Sequence, residues 1–166
     1  MQHLTAAFVS GILATTPVQP AGACAFHGYV PNPTMVDLLL ATEQVVIARL
    51  DPARPDRFQA QGVLMGPQAA EIPLEVSART RADLTRDPDA RILLARDGSY
   101  GVWLELALLD DTFEEVIRQV MAQQSSWQLG DEEARLGVFA QHVNAANPEL
   151  RDLALRELDR ASYALL

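Results

Sequence analysis

The chain has no lysine, a single cysteine and few aromatic side chains (6%) among its 166 residues. One thiol, Cys24, cannot close an intrachain disulfide or build a multi-cysteine metal cluster, so burial alone has to hold the fold. Its 13 basic residues, all arginine, face 22 acidic ones, giving a net charge of −9. A chain of that sign lacks the basic stripe that displaces counterions from nucleic acid or docks on anionic lipid. No Gly-rich phosphate loop, nucleophile elbow or His-Glu-x-x-His stretch occurs. No apolar run after the opening stretch reaches the roughly 20 residues that cross a bilayer, so no transmembrane span is expected in the mature chain.

What is present begins with residues 1–23, which hold no Asp, Glu, Lys or Arg. Leu4 to Leu13 is a run of apolar and small residues, and Thr15 to Pro20 is polar and helix-breaking. Ala21-Gly22-Ala23 then satisfies the small-x-small rule of a signal-peptide cleavage site. The reading is an export leader over 1–23, although Met1-Gln2-His3 lacks the usual basic charge. Cleavage after Ala23 would leave Cys24 at the new N-terminus. Two readings of Cys24 stand side by side. Ala-Gly-Ala-Cys is a degenerate lipobox, which would make Cys24 the site of a lipid anchor; otherwise it is an ordinary small buried thiol. His27, three residues on, adds an imidazole, and amine, thiolate and imidazole together are a copper or zinc ligand set. Cys24 and His27 are therefore the candidate metal site. No other cofactor is expected.

Residues 24–110 read as a β-rich segment. Thr34 is a helix N-cap with Asp37 in the capping-box position, opening a short helix over 34–43. Strands are expected at 45–50, 58–65, 71–77, 91–96 and 101–109. Pro52 and Pro55 mark a turn, Pro73 pushes the third strand to a sheet edge, and Asp97-Gly98 marks a hairpin. In the fifth strand Val102, Leu104, Leu106 and Leu108 share one face; Trp103, Glu105 and Ala107 share the other. Residues 80–85 form a helical turn. Five short strands suit a small antiparallel barrel or curled sheet. The order of Cys24, a helix over Thr34–Thr42 and the strand Val45-Val46-Ile47-Ala48-Arg49 resembles the netrin-like domain of tissue inhibitors of metalloproteinases. That resemblance implies an OB-type five-stranded barrel. The family begins Cys-x-Cys and carries several disulfides; this chain has Ala25-Phe26 after Cys24, so its inhibitory activity is not carried over.

Residues 111–166 read as a helical tail. Asp111 caps a helix over 112–123, in which Phe113, Val116, Ile117, Val120 and Met121 keep helical spacing. A linker with Trp127 follows over 125–130. The next helix, 132–146, presents Leu136, Phe139, Ala140 and Val143. His142 is a flanking histidine there, and the acidic stretches at 110–111 and 131–133 suit helix starts. Asn147 as N-cap and Pro148 at N1 open a last helix that buries Leu150, Leu153, Ala154, Leu158 and Ala161. Pro148, Arg151, Ala154 and Leu158 resemble the second helix of a HEAT repeat, which implies a protein-binding helical surface.

Taken together, the sequence points to an α+β chain: a small five-stranded OB-like antiparallel sheet or barrel followed by a HEAT-like helical segment. The expected role is a non-enzymatic protein-binding or scaffolding module, periplasmic or extracellular in the bacterial cell envelope, whose partner is another envelope protein. Two alternatives remain open: a metal-binding periplasmic protein using Cys24 and His27, and an envelope enzyme whose site is dispersed.

Overall fold

A computed structural model of the chain describes residues 32–68, 71–98 and 101–161. The candidate leader, Cys24 and His27 lie outside those residues. Within them the protein is α+β: a curled, half-barrel sheet of five antiparallel strands, with helices on both of its faces.

Thr34 caps α1 (Met35–Ala41) through the expected capping box with Asp37. Strands β1 (Gln44–Asp51) and β2 (Arg54–Met65) are joined by a turn at Pro52 and Ala53, tighter than the two prolines suggested, with Pro55 already inside β2. The edge strand β3 (Ile72–Glu75) contains Pro73, as a residue without a ladder donor requires. Helix α2 (Ala78–Arg86) is longer than the expected helical turn because Ser77 caps it, accepting from the Thr80 N–H. Strands β4 (Arg91–Arg96) and β5 (Trp103–Leu109) complete the sheet, in the order β3-β2-β1-β4-β5.

The central strands explain their own composition. Val45, Val46, Ile47 and Ala48 of β1, and Ile92, Leu93, Leu94 and Ala95 of β4, are all buried. Continuous apolar runs arise where a sheet is covered on both faces. On one face, Val46, Ala48, Ile92 and Leu94 meet Phe58, Ile72, Trp103 and, from the α2 side, Val76 and Leu84. On the other, Val45, Ile47, Leu93 and Ala95 meet α1 and the C-terminal helices.

Strand β5 departs from the alternation read in the sequence. Val102 and Leu104 are exposed, whereas Trp103, Ala107 and Leu109 are buried. Leu93 pairs with Ala107 and Leu94 with Glu105, so Leu106 is an extra residue on β5. A bulge of this kind shifts the side-chain phase by one. Trp103 consequently joins the α2-side core, while Ala107 and Leu109 join the other.

The helical part comprises α3 (Asp111–Ala122), α4 (Gln124–Gln128), α5 (Glu132–Ala140) and α6 (Pro148–Asp159). The α3 cap is Asp110 rather than Asp111. The expected linker contains the short helix α4, and Trp127 on it is buried against Phe139, with ring centroids 6.2 Å apart. Helix α5 stops at Ala140, six residues before its expected end, and His142 sits in the turn that follows. Val138 and Phe139 are its buried positions, while Ala140 is exposed. Helix α6 begins as expected, with Asn147 accepting from the Glu149 and Leu150 N–H groups and Pro148 in the first turn. Leu150, Leu153 and Ala154 are buried in one core with Ile47 and Leu93 of the sheet. The last buried position on α6 is Glu157, not Leu158. No described helix is long and apolar enough to cross a membrane.

Candidate functional site

The half-barrel is open between its two edge strands: β3 and β5 approach each other, but no ladder joins them among the described residues. The short β3 leaves the outer edge of β5 without a strand partner among the described residues. Along that edge runs a groove of about 490 Å³. Its walls are α2, through Ser77, Arg79, Thr80 and Asp83, and α6, through Glu149, Asp152, Leu153 and Arg156. Glu105, Leu106, Ala107 and Leu108 form its β5 side, with Met35, Ile92 and Phe113 supplying apolar floor.

Four successive strand residues lining one groove is a geometric statement. Side chains alternate between faces, so a cleft touching all four opens onto the strand's edge, where the backbone N–H and C=O groups project. At one position the outward donor is visible: the Leu108 N–H is held by Oε2 of Glu149 at 3.0 Å. Glu149 stands in the first turn of α6, where a carboxylate also complements the helix dipole. Across the groove, the Thr80 hydroxyl donates to Oε2 of Glu105 and ties α2 to β5.

The groove has an acidic balance. Asp83, Glu105, Glu149 and Asp152 stand against Arg79 and Arg156. Arg79 lies 3.9 Å from Asp83 and is largely exposed. None of these groove carboxylates is the metal site sought in the sequence. Among the described residues no three His, Cys, Asp or Glu side chains gather to hold a metal ion.

A second polar cluster lies between α1 and the α5–α6 pair. Arg135 donates to both carboxylate oxygens of Glu157, at 2.7 and 3.0 Å, and to Asp37 at 2.9 Å. The Thr34 hydroxyl donates to Glu157, and Arg160 bonds Asp37. Burial by itself would raise the Asp37 carboxyl pKa; the Thr34 N–H, Arg135 and Arg160 outweigh that and hold it below its ordinary value. Burial disfavours the Arg135 charge, but Glu157 and Asp37 more than compensate. Every member is satisfied from within the chain, so the cluster reads as a fastening of α1 to the last two helices.

Sequence reasoning foresaw none of the groove residues. The sequence places Glu105 only on one face of the fifth strand, with Trp103 and Ala107, and gives Glu149 no role. Comparison with protein-family models, curated proteins and solved structures finds no match, so neither the netrin-like nor the HEAT-like resemblance gains support from a relative.

Proposed function

We propose that the chain is a protein-binding module that accepts an extended, basic segment of another protein along the free edge of β5. The observation carrying this reading is that Glu105 to Leu108 line a single groove walled by α2 and α6. An exposed strand edge supplies backbone hydrogen bonds to an added strand, and the flanking pockets select its side chains. Four residues of β5 span about 14 Å. The excess of carboxylates over guanidinium groups in the walls favours a lysine- or arginine-bearing occupant, because complementary charge steers encounter and rejects acidic competitors. The leader-like composition of residues 1–23 supports placing that partner in the cell envelope.

The test is a titration of the full chain, followed by amide NMR, with an octapeptide alternating Thr and Lys and with its Thr/Glu counterpart. Shifts concentrated at 104–109, α2 and the start of α6, seen with the lysine peptide and weakened by salt, are expected. Equal response to both peptides, or shifts centred away from β5, would overturn the reading.

A further inference from the structure

We infer that Glu149 is a displaceable stand-in for the partner strand, and that it makes a cation the condition for edge pairing. This rests on the β5-edge reading above. In a paired sheet the outward Leu108 N–H would go to a carbonyl of the neighbouring strand. Here a carboxylate oxygen takes that place at 3.0 Å. A charged acceptor holds an N–H more strongly than a neutral carbonyl does. An incoming strand that seeks the Leu108 donor therefore loses more than it gains at that position.

The displaced carboxylate stays within one side chain's reach of the groove, because the Asn147 cap holds the Glu149 backbone N–H in the first turn of α6 at 2.9 Å. It stays beside the incoming chain, with Asp152 one turn along the same wall and Glu105 on the strand. A lysine or arginine on the occupant replaces the lost N–H with a charge-assisted contact. A neutral strand leaves the carboxylate uncompensated in an already acidic groove, and an acidic strand adds repulsion from Asp83, Glu105 and Asp152. The two nearby cations, Arg79 and Arg156, form no ion pair with Glu149 among the described residues: Arg79 lies on the opposite wall facing Asp83, and Arg156 stands two turns further along α6. The same contact blunts β5 as a sticky edge, since a strand edge left open pairs with other copies.

The experiment measures fluorescence anisotropy of three labelled octapeptides, Thr alternating with Lys, Gln or Glu, against the full chain and against Glu149→Gln and Glu149→Ala. Circular dichroism confirms that the variants fold. The wild-type chain should prefer the Lys peptide over the Gln peptide by about tenfold, the worth of one charge-assisted contact. In Glu149→Ala the Gln peptide should gain affinity and the ratio collapse toward one. In Glu149→Gln, whose neutral amide oxygen holds the Leu108 N–H no more strongly than a strand carbonyl would, the Lys preference should fall and the Gln peptide should gain, by less than in Glu149→Ala. If the wild-type chain binds the Lys peptide and both variants keep the full Lys-to-Gln ratio, Glu149 is not the reader and this inference fails alone. If neither the wild-type chain nor Glu149→Ala binds any of the peptides, the β5-edge reading fails with it.

Discussion

Arg135 on α5 grips Glu157 on α6 through two guanidinium nitrogens, at 2.7 and 3.0 Å, where Glu157 is only 2% exposed. The pair extends to α1 through Asp37 and Thr34. Removing Glu157 leaves the Arg135 charge with Asp37 alone; breaking a buried pair costs up to about 3–5 kcal/mol, whereas replacing both members with apolar residues of like volume is often neutral or stabilising. Glu157→Ala is therefore expected to lower the urea midpoint severely, and the double variant Arg135→Met with Glu157→Leu to recover most of the loss. Equal damage from the single and double variants would show that the pair contributes net stability.

Asp37 gives that cluster a pH dependence of definite sign. Its folded-state pKa lies below the ordinary 3.8. A depressed carboxyl contributes stability that is fully present above the unfolded value and is lost as pH falls through the folded one. The wild-type urea midpoint should thus fall more steeply below about pH 4 than that of Asp37→Asn, and the two curves should converge in strong acid. Parallel curves would place the shift elsewhere.

Much of the fold was legible because local rules were locally obeyed. Thr34 with Asp37, Asn147 with Pro148, and Pro73 at a sheet edge each follow from chemistry within a few residues of sequence. The fifth strand's phase was not legible, because the bulge at Leu106 shows itself only in the pairing with Leu93 and Leu94. The burial of Glu157 was hidden for a similar reason: its partners Arg135 and Thr34 are 22 and 123 residues away. The groove was least legible of all. It exists because β3 is short and α2 and α6 stand on either side of β5, and no stretch of sequence contains more than one of its walls.

Glycines separate sharply by position. At Gly101 an added Cβ would lie 2.0 Å from the Asp97 carbonyl oxygen, and at Gly66, where φ is +83°, it would lie 2.6 Å from that of Glu43. Gly137, inside α5, has nothing within 4 Å of its Cβ position. Gly66→Ala and Gly101→Ala should destabilise strongly, since backbone cannot yield as a side chain does. Gly137→Ala should stabilise by about 0.5–1 kcal/mol, the helix-interior cost of glycine. Thermal melts of the three variants check the ordering, and a loss at Gly137 would contradict the open surroundings.

The chain carries two tryptophans, one in each core, and this allows the coupling of sheet and helices to be read directly. Trp103 packs with Val46, Leu94 and the α2-side residues; Trp127 packs with Phe139 among the C-terminal helices. Strands β1 and β4 are buried on both faces and feed alternate side chains into the two cores. Loss of either core therefore strips one face from the same two strands. Trp103→Phe and Trp127→Phe, each leaving one reporter, should show coincident urea transitions, the mark of a single cooperative unit. Phe139→Ala, emptying a fully buried site on α5, should cost about 3–5 kcal/mol and move both reporters together. If the Trp127 transition shifts while that of Trp103 stays in place, the helices melt off an intact sheet, and β1 and β4 do not transmit the loss.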